Sequence, residues 1–333
     1  MRVLLDHNEP FLLAHGGLRA QIERTKTALE LSGVDVDYLC WWDDSQHGDI
    51  IHFFGRANPS HINFAHGKGI KYVMQELLTS QGSRSAVHLQ LQAAANWTLR
   101  HVLPANYRLP LRWDSYRTAD AIIAITDWEA FIMSRLFGVP FQRISVVPNA
   151  VEDVFFRSGS QPPGDHLICV ATITERKQIL ELTQAAVVAK TPLKIVGEPY
   201  SQSDPYFQRF LETVGTSQGV VEYLGPIYAP QDLASRLQEA RGFVLPSTME
   251  TQSLAALEAA AAGLPLLLSD LPWAHVTFGN KATYLPLAKG TLFADNLKRF
   301  FETAHSLPLP LPPPTWKEVA TILVRVYNDT LSK

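Results

Sequence analysis

Two glutamates, Glu250 and Glu258, are the side chains of this sequence whose type and spacing most clearly suggest chemistry. Glu250 follows an apolar run that ends at Pro246, and Glu258 lies inside a helix predicted over 253–262. The amino terminus of a helix presents free backbone N–H groups and a partial positive charge, which suit a diphosphate. A carboxylate further along the helix can accept both hydroxyls of a ribose, and one in the loop can reach the hydroxyls of a sugar beyond the phosphates.

For an isolated pair of glutamates, the solvated face of an amphipathic helix is the simpler interpretation. Here a Pro-Ser turn precedes the pair, and an alanine-rich helix followed by Gly263, Leu264 and Pro265 comes after it. These neighbours favour a packed binding site at the carboxyl end of a strand, where open α/β sheets bind their ligands.

A basic pair, Arg176 and Lys177, follows another predicted strand, 167–171. A cation at this place would stabilise the charge that a diphosphate acquires as its bond to a sugar breaks. A solvated pair of loop residues is the alternative.

Several classes of enzyme lack their signature in this chain. There is no G-x-G-x-x-G, no P-loop and no H-E-x-x-H motif, and the two cysteines and scattered histidines offer no set of metal ligands. Asp35 and Asp37 imitate an Asp-x-Asp metal motif, but a strand with alternating residues puts both carboxylates on its exposed face. We therefore expect no cofactor and no metal.

The balance of charge also restricts the function. The chain has 333 residues, with 29 Lys and Arg against 32 Asp and Glu, for a net charge of −3. This balance argues against a nucleic-acid partner, which would favour a basic excess. The amino terminus is unlike a signal peptide, and no apolar run reaches the roughly 18 residues that a membrane span needs. We expect a cytoplasmic protein.

Strands and helices alternate along the chain in two series, which indicates two parallel sheets with right-handed crossovers. The predicted domains are residues 1–153 with 315–333, and residues 165–306, joined by linkers at 154–164 and 307–314. The predicted strands are 2–5, 34–40, 49–54, 70–74, 121–125, 144–147, 167–171, 193–197, 220–224, 242–246 and 264–269. Helices are predicted at 179–189, 231–239, 253–262 and 316–331, and another begins near Trp128 with Asp127 as its N-cap.

The segment Gly242–Asp270 resembles the donor site of the retaining glycosyltransferases of family 4, which have the GT-B fold. Its matching residues are Leu245-Pro246-Ser247, Glu250, Glu258-Ala259, Gly263-Leu264-Pro265 and Ser269-Asp270. Other segments that resemble the family, in the family's order, are Gly16-Gly17 with Glu23, Ala119–Thr126, Val146–Val151 and Trp316–Tyr327. The resemblance covers nearly the whole chain and implies an α/β protein of two Rossmann-like domains whose parallel sheets face each other across a cleft.

The resemblance also implies roles for single residues. Glu258 would bind the donor ribose, Glu250 would contact the transferred sugar as a catalytic residue, and Lys177 would bind the phosphates. The backbone of Ser253 and Leu254 would hold the diphosphate. The remaining donor-binding positions are Gly16, Gly17, Arg176, Thr251 and Gln252.

The chain departs from the family at four places. Thr172 replaces the usual arginine, for which the nearby Arg176 could substitute. Residues 251–253 replace a Gly-Phe-Gly, which reduces the backbone freedom of the loop. Gln178 replaces a glycine. Gln75, our second catalytic candidate, stands where many members have histidine, and it can form hydrogen bonds but cannot titrate.

The implied activity is transfer of a sugar from a nucleotide-diphosphate-sugar donor to a hydroxyl acceptor with retention of configuration and without a metal. The acceptor would be a glycan, a lipid-linked compound or a small molecule. Two alternatives remain. One is a catalytically weak pseudo-glycosyltransferase or nucleotide- or glycan-binding subunit, and the other is a nucleotide-sugar epimerase of the same fold.

The segment Arg84–Arg117 is basic and aromatic. Five arginines face a single acid, Asp114, and the aromatic residues between them are Trp97, Tyr107, Trp113 and Tyr116. Such segments favour anionic headgroups, so this one is a candidate to bind an anionic acceptor or to make peripheral contact with the inner membrane face. A partly buried helix pair with solvated arginines is the alternative.

Overall fold

The chain divides into two units, one formed by two separate segments of the sequence and the other by a single continuous segment. The computed structural model describes residues 1–8, 11, 17–104, 107, 111–156, 164–287 and 290–333. Unit 1 is formed by Met1–Asn149 with Pro314–Lys333, and unit 2 by Ala150–Pro313. Phe155, which lies in the range predicted as a linker, is 2% exposed and packs in the core of unit 2.

Unit 1 contains a six-stranded sheet in the order β2-β1-β3-β4-β5-β6, and every neighbouring pair is parallel. All five residues of β3 are buried, as expected for a central parallel strand covered on both faces. The strands are β1 (Arg2–His7), β2 (Asp35–Tyr38), β3 (Ile50–Phe54), β4 (Lys71–Gln75), β5 (Ala121–Ala124) and β6 (Ile144–Val146).

Helices connect these strands. They are α1 (Gly17–Leu31), α2 (Pro59–Gly67), α3 (Thr79–Gly82), α4 (Ala86–Val102), α5 (Ser115–Thr118) and α6 (Asp127–Phe137), with a 3₁₀ turn at Phe141–Arg143. The prediction that Asp127 caps α6 is wrong by one residue. Thr126 has extended backbone angles, and its side chain accepts a hydrogen bond from the Glu129 amide, so Thr126 is the N-cap.

Unit 2 contains a second six-stranded parallel sheet, in the order β12-β11-β10-β7-β8-β9. This is the strand order of a doubly wound nucleotide-binding sheet, in which the first and fourth strands of the unit are neighbours. The strands are β7 (Leu167–Val170), β8 (Leu193–Val196), β9 (Val221–Gly225), β10 (Gly242–Leu245), β11 (Leu266–Ser269) and β12 (Thr283–Leu285). The α/β class with two parallel sheets is therefore confirmed, and β12 is a strand that the sequence did not predict.

The helices of unit 2 lie between its strands. They are α7 (Ile179–Ala189), α8 (Pro205–Gly215), α9 (Pro230–Gln238), α10 (Leu254–Ala261), α11 (Pro272–Phe278) and α12 (Thr291–Thr303), with 3₁₀ turns at Asp153–Phe155, Glu175–Lys177 and Ala304–Ser306. Small side chains let α10 pack closely, since Ala256, Ala259 and Ala260 are all at most 3% exposed.

The last helix, α13 (Trp316–Leu331), belongs to unit 1 and contacts α1. It begins with a capping box, in which Thr315 and Glu318 bind each other's backbone N–H. Val319, Leu323 and Tyr327 lie on its buried face, as the sequence predicted.

The Asp-x-Asp of unit 1 lies at an edge of its sheet. Asp35 and Asp37, on the edge strand β2, each have a carboxylate oxygen 3.7 Å from a nitrogen of the Arg2 guanidinium, which supports the structural interpretation of this Asp-x-Asp.

In the part of the chain that the structure describes, no helix is both long and apolar enough to cross a bilayer.

Helix α4 leaves most of its apolar side chains exposed. It buries only Leu89 and Asn96. Its exposed large apolar residues, between 40% and 72% exposed, are Val87, Leu91, Trp97, Leu99 and Val102. The predicted aromatic patch needs a correction, because Trp113 and Tyr116 are 9% and 0% exposed and belong to the core of unit 1. Arg108 of the same segment lies outside the described residues.

Candidate functional site

The centre of unit 2's sheet is where the direction of its connections changes. From β7 the chain continues to β8 on one side, and from β10 it continues to β11 on the other. The loops that leave the carboxyl ends of β7 and β10 therefore diverge, which is the arrangement that opens a ligand crevice in doubly wound sheets. These two loops carry Arg176, Lys177 and Glu250.

Arg176, Lys177 and Glu250 form one ion-pair cluster. The Glu250 carboxylate accepts a very short hydrogen bond from Lys177 Nζ and lies 3.2 Å from Arg176 Nη1. The Lys177 and Glu250 side chains are 13% and 10% exposed, so the pair is shielded from most of the solvent. Within this cluster two cations share one carboxylate.

Backbone contacts hold the two loops together. The Arg176 carbonyl accepts a hydrogen bond from the Thr248 amide at 2.8 Å, and Arg176 Nη1 donates to the Met249 carbonyl at 2.6 Å. These bonds fix the cations against the loop that carries Glu250. Gln178, at the predicted departure from glycine, has a φ of +54°. This left-handed conformation explains why a glycine would suit the position.

Helix α10 begins at Leu254, a few residues after Glu250 in the chain. Ser253 is its N-cap, and the Ser253 hydroxyl accepts a hydrogen bond from the Ala256 amide at 3.3 Å. Leu254 is the first helical residue, and Glu258 follows one turn later and is partly buried. Thr251 and Gln252 occupy the loop before the cap, where Thr251 is 7% exposed and Gln252 is partly buried. The structure thus gives Ser253 a capping role that the sequence did not predict.

A cavity of about 500 Å³ lies beside the cluster. Its lining combines two carboxylates and two guanidinium groups with three neutral residues: Thr174, Glu175, Arg176, Asp204, Pro205, Tyr206 and Arg209. The loop after β7 therefore has open space on the side of Arg176 that faces the start of α8.

Unit 1 has a second group of polar residues at the carboxyl ends of its strands. Arg56 Nε lies 2.8 Å from Glu76 Oε2, and Tyr116 donates a very short hydrogen bond to the same carboxylate. Arg112 Nη1 donates to the Arg56 carbonyl at 3.1 Å and to Asn8 Oδ1 at 3.3 Å. The ends of β1, β3 and β4 are thereby joined to the segment around Arg112. Arg112 and Tyr116 belong to the basic and aromatic segment Arg84–Arg117 of the sequence analysis, whereas Asn8, Arg56 and Glu76 had no predicted role.

Gln75, the second predicted catalytic residue, is the last residue of β4 and is 5% exposed. His52 Nε2 lies 3.1 Å from Gln75 Oε1, and His52 Nδ1 lies 2.7 Å from the Tyr327 hydroxyl. Both His52 and Tyr327 are fully buried. Burial lowers the pKa of His52 to about 3, so its ring is neutral.

A neutral His52 fixes the direction of this hydrogen-bond chain. An amide oxygen can only accept, so His52 Nε2–H donates to Gln75, and the Tyr327 hydroxyl then donates to Nδ1. The Gln75 amide is thereby oriented with its NH₂ group free to donate elsewhere. One signal in the sequence could have indicated His52, since it is the single polar residue in the apolar run Ile50–Phe54.

Other residues that were predicted for the site, or that match a catalytic pattern, lie in different elements of the fold. Gly17 is the exposed first residue of α1, and Gly16 lies outside the described residues. The pattern G-x-S-x-G occurs at Gly215–Gly219, but it joins a helix to a strand, and Ser217 is 2% exposed. A nucleophile elbow needs the reverse order, a strand followed by a helix. Among the described residues no three His, Cys, Asp or Glu side chains are grouped as metal ligands would be.

Comparison with known proteins gives a family match for unit 2. Residues 164–303 match the family model described as Glycosyl transferases group 1. O-antigen chain mannosyltransferase B of Escherichia coli is 29% identical over 228 residues, which cover 62% of this chain and 56% of that protein. D-inositol 3-phosphate glycosyltransferase of Paenarthrobacter aurescens (strain TC1) is 29% identical over 170 residues, covering 46% and 41%. The chain spans about half the length of these curated relatives.

Solved structures match over both units. Sucrose-phosphate synthase from Thermosynechococcus elongatus has a TM-score of 0.68 at 15% identity and covers 99% of each chain. Anabaena HepE in complex with UDP has a TM-score of 0.65 at 13% identity, covering 100% of this chain and 95% of the other. At these identities the likeness concerns the fold alone, and it confirms the GT-B fold.

Proposed function

We propose that this chain, which belongs to the glycosyl transferases group 1 family through residues 164–303, transfers a sugar from a nucleoside-diphosphate sugar to a hydroxyl acceptor with retention of anomeric configuration. The observation that carries the proposal is the cluster of Arg176, Lys177 and Glu250 at the switch point of unit 2. HepE, a structural neighbour, binds UDP, and a mannosyltransferase relative from Xanthomonas campestris is named for GDP-mannose. A UDP- or GDP-linked sugar is therefore the proposed donor.

The reaction breaks the bond between the anomeric carbon and the diphosphate oxygen, and it forms a bond from the acceptor oxygen to the same face of that carbon. The acceptor proton passes to the departing phosphate oxygen, so no side chain has to act as a general base. Arg176 and Lys177 stabilise the charge that develops on the diphosphate. Both cations already contact Glu250, so the loop that carries this carboxylate holds them in place.

Glu258 and Glu250 have different roles in this proposal. Glu258, on α10, binds the ribose, and the first turn of the helix at Leu254 supplies amides to the diphosphate. Glu250 contacts the sugar while it holds the two cations in place. Gln75 has its NH₂ group available to bind a substrate, because its oxygen is already engaged by His52.

Substitution of the two glutamates tests these roles. Glu258→Ala should weaken binding of free UDP or GDP about 10- to 150-fold, because a hydrogen bond to a charged group is worth about 1.5–3 kcal/mol. Glu250→Ala should leave that affinity equal or higher, since it removes the negative charge beside Arg176 and Lys177. It should instead lower the rate of transfer.

Calorimetry with the free nucleotide, alongside transfer rates, makes this comparison direct. Glu302→Ala, an exposed glutamate on α12, is the matched control and should change neither quantity. If both site variants behave like this control, the cluster is only structural and the donor site is misassigned. Donor turnover to an epimer without an acceptor would instead indicate an epimerase, and no turnover of any nucleotide sugar would indicate a binding subunit.

Metal independence is part of the proposal. The two cations and the start of α10 neutralise the diphosphate in place of a divalent ion. Transfer should therefore continue in excess EDTA at its rate without the chelator. An absolute requirement for Mn²⁺ or Mg²⁺ would contradict this part of the mechanism.

We also propose that α4 contacts an anionic membrane surface. Residues 77–113 contain no Asp or Glu, and Val87, Leu91 and Trp97 are each 63–66% exposed. Exposed apolar side chains on a helix in a basic segment suit the boundary between headgroups and acyl chains. Sedimentation with vesicles of phosphatidylcholine and phosphatidylglycerol should fall strongly for Leu91→Gln combined with Trp97→Gln. Equal sedimentation of the variant and the wild type would refute this contact.

A further inference from the structure

Arg112 belongs to the polar group at the strand ends of unit 1, and its side-chain hydrogen bonds there are to neutral groups, whereas Arg56 pairs with Glu76. Its Nη1 donates to two neutral acceptors, the Arg56 carbonyl at 3.1 Å and Asn8 Oδ1 at 3.3 Å. Within the described part of the chain, no carboxylate lies within the 4.0 Å of an ion pair with it. A guanidinium carries five N–H donors in a rigid fork, so Nε and Nη2 remain available while Nη1 anchors the group.

Arg56 shows by contrast what a structural arginine looks like in the same group. Its Nε binds Glu76 at 2.8 Å, its Nη1 binds the Leu111 carbonyl at 3.2 Å, and its guanidinium stacks 4.7 Å from the Phe137 ring. Its charge is neutralised and its faces are covered. Arg56 therefore supports Arg112 in two ways. Its side chain binds the carbonyl of the preceding Leu111, and its own carbonyl accepts a hydrogen bond from Arg112 Nη1.

The backbone of Arg112 is strained. Its φ is +49°, and it is the sole non-glycine residue with a positive φ in the described part of unit 1. A left-handed conformation is unfavourable for a residue with a Cβ, and such strain concentrates at functional sites. Hydrogen bonds from the Ser115 amide and hydroxyl to the Arg112 carbonyl hold the conformation.

The position of the group is that of a ligand site. The strand order of unit 1 changes direction between β1 and β3, and Asn8 and Arg56 follow the carboxyl ends of these two strands. The segments that follow β1 and β3 approach each other closely here, because a Cβ on Gly55 would lie 2.4 Å from Asn8 Nδ2. Ligands of open α/β sheets bind at such a point.

We propose that Arg112 binds a phosphate group carried by the acceptor, through the Nε and Nη2 edge of its guanidinium. This inference rests on the proposed function, because it specifies the acceptor of that reaction. The acceptor is then a hydroxyl compound with a phosphate group, either a soluble phosphorylated sugar or a phosphate-linked lipid. The recognition chemistry is the same for both, since a guanidinium fork matches two phosphate oxygens.

The test measures binding to unit 1 while unit 2 is occupied. Inorganic phosphate and glucose 6-phosphate, with glucose as the uncharged counterpart, are titrated calorimetrically into the full chain in saturating UDP or GDP. Arg112→Asn is the main variant, because asparagine adopts a positive φ readily and removes the charge. It should weaken phosphate and glucose 6-phosphate binding at least tenfold, while Arg112→Lys, which keeps the charge and loses the fork, should have an intermediate effect.

Two controls separate this inference from the donor assignment. Arg135→Gln removes an exposed arginine from α6 of the same unit and should bind phosphate like the wild type. Lys177→Gln should lose nucleotide affinity and keep the phosphate site of unit 1. If Lys177→Gln keeps its nucleotide affinity, the donor assignment is overturned. If both Arg112 variants bind phosphate like the wild type, the present inference is overturned.

A second arm distinguishes the two sources of phosphate. Vesicles of phosphatidylcholine with or without phosphatidic acid replace the soluble probes. Weaker binding of Arg112→Asn to the phosphatidic acid vesicles, with little response to soluble phosphate, assigns the phosphate to a lipid. The reverse pattern assigns it to a soluble sugar phosphate, and no dependence on Arg112 in either arm refutes the site.

Discussion

Replacement of His52 by glutamine should change how the stability of unit 1 depends on pH. The imidazole is fully buried, and its pKa falls from 6.5 to about 3 because burial penalises the charged ring. In the unfolded chain the ring takes up a proton near pH 6.5, whereas in the folded protein it does not until about pH 3. The folded state therefore loses stability as the pH falls through this window.

The size of the effect follows from the width of that window. Each pH unit between the two pKa values is worth about 1.4 kcal/mol, so the neutral His52 should cost about 2.7 kcal/mol at pH 4.5. Glu129 works in the opposite direction, because burial raises the pKa of its carboxyl to about 8. Its contribution is present below pH 4.5 and is lost as the pH rises toward 8, so in the wild type the two slopes oppose each other between pH 4.5 and 6.5. Only the difference between wild type and variant isolates His52.

Urea denaturation at pH 7.5 and 4.5, followed by tryptophan fluorescence, measures this difference. Six of the seven tryptophans belong to unit 1 and make the signal specific to it: Trp41, Trp42, Trp97, Trp113, Trp128 and Trp316. The free energy of unfolding of the wild type relative to His52→Gln should drop by about 2.7 kcal/mol between the two pH values. A drop below about 0.7 kcal/mol, half a pH unit, would mean that the ring is solvated and would refute the reasoning.

Three further substitutions test other local features. Gln178→Gly should keep or raise stability by up to about 1 kcal/mol, because it relieves a left-handed conformation, and a clear loss in urea titrations would contradict the strain. Gly197→Ala should destabilise unit 2 by about 2 kcal/mol or more, since its Cβ would lie 1.9 Å from the Ala171 carbonyl oxygen. Gly219→Ala, at a φ of +83° and in open surroundings, should cost about half as much, and equal losses would refute the clash. Tyr327→Phe should slow transfer without changing nucleotide affinity, because His52 loses its donor and Gln75 its orientation, and an unchanged rate would separate the hydrogen-bond chain from the reaction.

The elements that the sequence predicted well are those whose physical cause is local. Buried parallel strands such as Leu266–Ser269 are short apolar runs, and the helix over Ile179–Ala189 is observed at its predicted bounds. The strand Thr283–Leu285 escaped prediction because it has three residues at a sheet edge, and two of them are only partly buried. Thr126 and Asp127 are both good caps, and only the backbone angles decide between them.

The candidate site divides in the same way. The types and spacing of Glu250 and Lys177 could be read from the chain, but their contact joins residues 73 positions apart and needs the adjacency of β7 and β10. The bond between His52 and Tyr327 spans 275 positions, and His52 belongs to no motif. Such contacts arise from sheet order, which composition and periodicity do not encode.

The split of unit 1 along the chain has a consequence for biosynthesis. A ribosome completes residues 150–313, all of unit 2, before it makes α13. Unit 2 can therefore finish folding on the nascent chain, while the core of unit 1 still lacks Val319, Leu323 and Tyr327. His52 spends this interval without the hydroxyl that satisfies it in the native fold. The unit that emerges first is thus the last to mature, and a chaperone that protects the nascent chain would be needed longest at its amino-terminal half.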